Sequence, residues 1–306
     1  MLEKIEELLS EVPPSLLKEA FEKLSTTYRE GGGSHFREEN QRLAYLATRV
    51  PATYAVATKV LSQLPFPIKS WIDVGAGPGT ASWAAAELFP EAEKVLFFEK
   101  SQEMMALGKK LSVEHPLLQK SEWILGRSPP QVGVLDAAIF SYSLGELDNA
   151  QEWISWWWEA KIPFLIVIEP GTPARFAFLR KVREEILSRG GFLVAPCPHA
   201  RVCPIQGTDW CHFSVRFNRT RVQRYVKDGA LGYEDEKFSY LIVSRNFLPI
   251  SKQARVLRHP YKLPGRVGLT LCKPEGNIQE TLVSKRDKIF YKEAKKLKWG
   301  DQFPQM

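Results

Sequence analysis

SWIDVGAGPGTASWAAAELF, residues Ser70–Phe89, is the stretch whose reading decides the fold. It reads as a short apolar strand, a glycine turn and an alanine-rich helix. The turn is Asp73-Val-Gly75-Ala-Gly77-Pro-Gly79-Thr80. Glycine lets the backbone take positive φ and approach a ligand closely, and the helix N-terminus that follows favours anionic groups. Glu99 ends the next apolar run, VLFFE, 22 residues after Gly77. A carboxylate at about that distance suits ribose hydroxyls. Working outward, VLFFEKS, SEWILGRSP, LDAAIFSYSLGEL and FLIVIEPGT supply the second to fifth strands, with helical segments between them. Such alternation predicts an α/β fold with a parallel sheet and helices on both faces.

The G-x-G-x-G spacing differs from the G-x-G-x-x-G of NAD-binding proteins. It resembles the D-x-G-x-G-x-G loop of S-adenosylmethionine (SAM) enzymes. That resemblance implies that Asp73 orients the loop or the methionine amine and that Gly75, Gly77 and Gly79 carry the backbone past the amino-acid moiety. It implies that Glu99 holds the ribose. The alternative is a scaffold that keeps the fold without the ligand. FSYLIVSR and RVGLTLCK fall where class I methyltransferases put their closing antiparallel hairpin. The expected architecture is therefore a class I, Rossmann-like, SAM-dependent methyltransferase fold. No catalytic residue is assigned. The Asp/Asn-Pro-Pro-aromatic motif of enzymes that methylate base nitrogens is missing, and Phe140-Ser-Tyr142-Ser-Leu144-Gly-Glu146 stands in its place. Tyr142 and Glu146 are candidates to line a pocket, Glu146 as a base or as a helix cap. Trp153, Trp156, Trp157 and Trp158 read as a helix packed on the sheet, ahead of base stacking.

The second chemical signal is APCPHARVCPIQGTDWCHF, residues Ala195–Phe213, which holds Cys197, Cys203 and Cys211. The fourth and last cysteine, Cys272, lies far downstream in LTLCKPEG. Four thiolates typically make one iron–sulfur or structural zinc site. The spacing lacks the C-x-x-C knuckle of many zinc fingers, which favours a [4Fe–4S] cluster, with zinc as the alternative. Buried free thiols are the competing reading. Prolines around Cys197 and after Cys203 favour a rigid, irregular loop. His199 and His212 read as surrounding residues that are able to replace a cysteine.

CPHARVCP, DWCHFSVRF and the later YEDEKFSYLIV resemble the methyltransferase-like proteins associated with the small subunit of mitochondrial ribosomes, together with their bacterial relatives. The resemblance runs from about Arg49 to Asp301 and includes the order of all four cysteines. It implies that Cys197, Cys203, Cys211 and Cys272 ligate a [4Fe–4S] cluster. It also implies a small-subunit assembly factor, which is expected to bind rRNA and to be a monomer away from the ribosome. An active rRNA methyltransferase, and a zinc-stabilised or redox-sensing RNA-binding protein, are the alternatives.

The 306 residues suit one large domain or two smaller ones, with ordinary hydrophobic (44%) and charged (25%) content. No apolar run approaches a membrane span. The N-terminus, MLEKIEELLSEVPPSLLKEAFEKL, is helical and acid-rich, unlike a signal peptide or presequence, so a cytoplasmic protein is expected. Residues 1–196 carry 21 basic and 25 acidic side chains; residues 197–306 carry 21 and 10. A basic half of this kind is a footprint for nucleic acid, or else a solvated face. Arg216, Arg219, Arg221, Arg224 and Lys227, interleaved with Phe217 and Tyr225, are the candidate RNA contacts. The expected organisation is a helical region over 1–66, with a break at Gly31–Gly33 and an interruption near Pro51, and a core over 67–192. A cysteine-rich insertion follows over 193–237, then closing strands over 238–275 and a basic tail over 276–306, helical from Lys285 to Lys298.

Overall fold

The computed structural model describes residues 1–29, 38–249 and 253–304. The expected break at Gly31–Gly33 lies outside them. Two compact units emerge: Met1–Ser62 with Ile68–Pro130 and Val215–Glu236, and Gln63–Pro67 with Gln131–Ser214 and Lys237–Met306. The expected 193–237 insertion is thus divided, its cysteine loop in the second unit and Val215–Glu236 in the first.

The first unit opens with α1 (Leu2–Leu9), α2 (Pro14–Arg29), α3 (Glu39–Thr48) and α4 (Val50–Leu61). Pro14 starts α2, where a missing N–H costs nothing. Pro51 sits in the first turn of α4, so the chain bends at Arg49 and continues helical. Ile5, Leu9, Leu17, Leu46 and Val50 bury together. Next come β1 (Ser70–Val74), α5 (Thr80–Leu88), β2 (Lys94–Glu99), α6 (Gln102–Ser112) and β3 (Glu122–Leu125). The three strands run parallel in the order β3-β2-β1.

The second unit contains β4 (Ala137–Ser141), α7 (Ala150–Glu159), β5 (Phe164–Pro170), α8 (Pro173–Ser188) and β6 (Phe192–Ala195). After the cysteine loop come β7 (Phe213–Asn218), α9 (Arg221–Val226) and β8 (Tyr233–Ser244). β4 and β5 are parallel, and β8 lies between β5 and β6, antiparallel to both. β5 is buried over six of its seven residues, as a central strand covered on both faces must be. Trp153 and Trp157 are buried, and the Trp157 indole donates to the Phe164 carbonyl at 3.2 Å, so α7 packs as expected.

The closing hairpin differs from the expectation. It pairs FSYLIVSR with Phe192–Ala195, and the cysteine loop is inserted within it. RVGLTLCK belongs to a separate five-stranded sheet: β9 (Ala254–Val256), β10 (Tyr261–Leu263), β11 (Arg266–Cys272), β12 (Ile278–Ser284) and β13 (Gln302–Phe303). The reason is alternation. Val267, Leu269 and Leu271 are buried among Val283, Ala294 and Phe303, which gives β11 one apolar face of its own. Of the helix expected over Lys285–Lys298 only the seven-residue α10 (Lys288–Ala294) forms, and the rest of the 276–306 tail supplies β12 and β13.

Val215–Glu236 is held to the N-terminal helices. Val226 joins the Leu17–Leu46 cluster. Buried Gln223 donates to the Thr48 carbonyl at 3.1 Å, and Lys18 pairs with Asp228 at 2.7 Å. Leu17→Ala should cost about 2–5 kcal/mol in urea unfolding, because Leu17 is fully buried. It should also raise amide exchange across Arg221–Val226. Unchanged exchange in α9 would show that the shared core is not what holds it.

Candidate cofactor loop and cysteine cavity

Gly75, Gly77 and Gly79 all take left-handed φ, at 68°, 55° and 84°. A Cβ at Gly79 would sit 3.0 Å from the Phe97 ring, so both conformation and space require glycine there. The Gly75 and Ala76 amides donate to the Phe98 carbonyl at 2.8 and 3.1 Å, tying the loop to β2. Asp73 is buried and accepts from the Ser82 amide (3.1 Å) and hydroxyl (2.9 Å), bracing β1 against α5. The Glu99 carboxylate accepts from the amides of Gly77 (2.7 Å), Lys100 (2.8 Å) and Ser101 (2.9 Å). The sequence-assigned residues Asp73, Gly75, Gly77, Gly79 and Glu99 thus meet at one strand-end. A loop that demands glycine beside a buried carboxylate fits an adenosyl ligand of the expected kind.

Burial pushes the Asp73 carboxyl up to about 7, against the two Ser82 hydrogen bonds, with the Glu99 charge adding to the rise. Its ordinary value is 3.8, so between about pH 4 and 7 the folded state binds more protons than the unfolded state. Stability contributed here therefore falls as pH rises through that window. Asp73→Asn should flatten the slope by up to about 1.4 kcal/mol per pH unit, measured by urea unfolding across pH 4–7. An unchanged slope would assign the titration elsewhere.

Cys197, Cys203, Cys211 and Cys272 all line one cavity in the second unit, with Arg183 and Arg255. Its open space is about 50 Å³, several times the ~10–15 Å³ that one water needs. The two arginines are 4% and 5% exposed. Arg183 donates to the carbonyls of His199 (3.0 Å) and Arg201 (2.6 Å), while its buried Nε has no hydrogen-bond partner among the described residues. Arg255 donates to the carbonyls of Pro196 (2.9 Å) and Gly300 (2.7 Å) and to the Gln63 side chain (3.1 Å). His199 Nε2 lies 3.5 Å from Cys272 Sγ, and the His212 ring stacks on Trp210. Burial pushes the Cys197 and Cys211 thiols up, and Cys272 to about 12, partly because each feels its neighbours. Thiols raised in this way become thiolates only beside a strong positive charge. Among the described residues, no three His, Cys, Asp or Glu side chains form a group able to hold a metal ion. The four sulfurs nonetheless share one cavity, and its buried guanidiniums suit the negative charge of a thiolate-bound metal group.

The buried arginines escaped sequence reading. Arg183 falls in register with Phe176, Leu179 and Ile186 on the apolar face of α8, an available signal for a functional cation. Glu169 was also missed. This buried carboxylate at the end of β5 accepts from the Gly145 amide at 2.8 Å and lies 3.7 Å from Arg175. Burial lifts it to about 7.

The candidate RNA contacts divide. Arg216 makes a bidentate pair with Asp235 at 2.8 and 2.7 Å. Arg219 and Lys227 share Glu234. Arg221 and Arg224 are exposed beside the 53%-exposed Tyr225, and form no ion pair among the described residues.

A family model described as "Mitochondrial small ribosomal subunit Rsm22" matches residues 39–304. The human ribosome assembly protein METTL17, mitochondrial, is 26% identical over 294 residues, covering 87% of this chain and 63% of that protein. The fission-yeast Rsm22-cox11 tandem protein 2, mitochondrial, is 23% identical, covering 98% of this chain and 48% of that protein. The chain thus spans about half to two thirds of these relatives. Among solved structures, a precorrin-6y C5,15-methyltransferase from Geobacter metallireducens aligns with a TM-score of 0.43 at 15% identity, over 63% of this chain and 88% of that one. The cytoplasmic expectation is overturned, because the family and these relatives carry mitochondrial names. The acid-rich N-terminus misled because Ile5, Leu9 and Leu17 make it part of a folded core, so its composition reports packing and not an address. With its order of parallel strands, antiparallel β8 and a match from residue 39 to 304, this α/β methyltransferase-like chain belongs to the Rsm22 family.

Proposed function

We propose that the protein acts in assembly of the small ribosomal subunit and binds its rRNA. Cys197, Cys203, Cys211 and Cys272 would hold a [4Fe–4S] cluster, and Gly75–Gly79 with Glu99 would hold SAM. When bound, SAM supplies an electrophilic methyl group, and the cluster a rigid, redox-active cross-link between the cysteine loop and β11. The observation that carries the reading is the cysteine cavity. Four cysteines as far apart in sequence as Cys197 and Cys272 line one space with two buried arginines, in a chain whose family match spans almost its whole length. The RNA contacts of this reading are Arg221 and Arg224, since Arg216, Arg219 and Lys227 already serve carboxylates of the protein. No described helix is long and apolar enough to cross a membrane.

Cys272→Ser should lose most of the iron and sulfide that anaerobically purified protein carries, because cluster binding and loop folding are coupled. Full iron and sulfide content in that variant would sink the ligand assignment.

A second experiment compares Arg221→Glu/Arg224→Glu with Gly77→Arg in cells lacking the native protein. The charge reversal should weaken rRNA binding and lower its salt slope by up to about two, roughly one per lost phosphate contact. Gly77→Arg, strained at φ 55°, should lose SAM in calorimetry while still binding small subunits. If it binds rRNA normally yet mature subunits and a methylated nucleotide both disappear, the protein is an rRNA methyltransferase and the assembly-factor reading falls.

A further inference from the structure

The outer face of the second sheet carries an aromatic ring held flat against glycine. Tyr261 pairs with Gly268 across β10 and β11, and Gly268 pairs with Leu282 across β11 and β12. Directly opposed residues share a face. Val267, Leu269 and Leu271 fill the core, so the alternate residues Arg266, Gly268 and Thr270 face outward. A Cβ at Gly268 would lie 2.0 Å from Tyr261 Cζ and 2.3–2.4 Å from both Cε atoms. The phenol ring therefore lies across the bare glycine backbone, which is buried beneath it. Its other side stays open, and Tyr261 is 47% exposed. Leu263 and Leu282 flank it at 45% and 51% exposure.

Cations surround this ring. Arg266 pairs with Leu263 on one side and Ser284 on the other, next to Gly268 along the same face. The Lys285 stem lies 3.5 Å from the Cβ position of Gly265 at the neighbouring turn. Arg266, Lys285 and Arg286 are exposed and form no side-chain ion pair among the described residues. That separates them from Arg216, Arg219 and Lys227. Glu280, opposite Thr270, places a carboxylate on the same face. Residues 254–306 carry 12 basic and 5 acidic side chains.

We propose that this face binds single-stranded RNA, with an unpaired base stacked on Tyr261 and the adjoining phosphates on Arg266 and Lys285. A fixed ring with one free side has little freedom left to lose on stacking, and cations beside it suit a backbone that continues past the stacked base. A protein partner would sooner call for neutral or acidic surroundings around the apolar residues. The proposal rests on the rRNA-binding reading and gives it a second, separate contact surface.

The test uses the full chain and fluorescein-labelled oligo(U) and oligo(A) of about 12 nucleotides, within the span of single-strand sites. Fluorescence anisotropy should show Tyr261→Ala binding about tenfold more weakly with an unchanged salt slope. Tyr261→Phe should bind like the native chain. Gly268→Ala, which lifts the ring without removing it, should weaken binding as Tyr261→Ala does. Arg266→Ala should lower the salt slope by about 0.7. Thermal melting identifies any variant that fails to fold, and the Tyr261→Phe and Arg266→Ala arms then still decide. Equal affinity of folded Tyr261→Ala and native chain overturns the platform, as does failure of the native chain to bind either oligonucleotide. If oligonucleotide binding is unchanged but Tyr261→Ala no longer co-sediments with small subunits, the face contacts protein and the proposal falls. Native co-sedimentation with small subunits tests the assembly-factor reading independently of every oligonucleotide arm.

Discussion

Two buried guanidiniums hold the cysteine loop in place. Arg183 reaches it from α8 and grips the carbonyls of His199 and Arg201; Arg255 reaches it from β9 and grips that of Pro196. Among the described residues, no carboxylate lines the cavity to balance either of them. A buried charge without a counter-charge is costly, and an anionic group in the cavity would offset that cost. Cys197, Cys211 and Cys272 have the opposite difficulty: burial pushes their thiols up, and a strong positive charge is needed to release them as ligands. The proposed iron–sulfur group would answer both needs: its metals would make thiolates of the cysteines, and its net negative charge would offset the arginines.

The cavity also accounts for the shape of the insertion. β6 ends at Ala195 and β8 begins at Tyr233, so the loop splits a hairpin that needs no such excursion for its own pairing. The two ends of that excursion are treated differently. Its cysteine-bearing part shares a hydrophobic cluster with Phe176 and Leu257. The later part, from Val215 to Glu236, packs through Val226 with the N-terminal helices. Cys272, at the end of β11, brings the second sheet to the same cavity.

Basic charge is sorted by what surrounds it. Along β7, α9 and β8 the carboxylates of Glu234 and Asp235 hold three of the five candidate cations, and these pairs shape the hairpin. On the second sheet Arg266 and Lys285 form no ion pair among the described residues, beside an exposed ring. A count of charges treats the two regions alike, yet only unpaired cations are ready to exchange counterions for phosphates.

The sequence by itself determined the alternating α/β core, the glycine loop with its strand-end carboxylate, and the set of four cysteines with no others to confuse it. These are local signals: a period of two or 3.6, a residue that alone accepts positive φ, a scarce nucleophilic side chain. The order of β5, β8 and β6 was only partly legible. FSYLIVSR was recognisable as a closing strand, but its partner FLVA is four residues long and RVGLTLCK offers a stronger apolar pattern. Tertiary structure alone decided that β11 builds a second sheet, that Arg183 and Arg255 turn inward, and that Glu234 silences two candidate RNA contacts. It alone laid Tyr261 across Gly268. Each of these joins residues distant in sequence, and such contacts form only when register and burial bring their elements together.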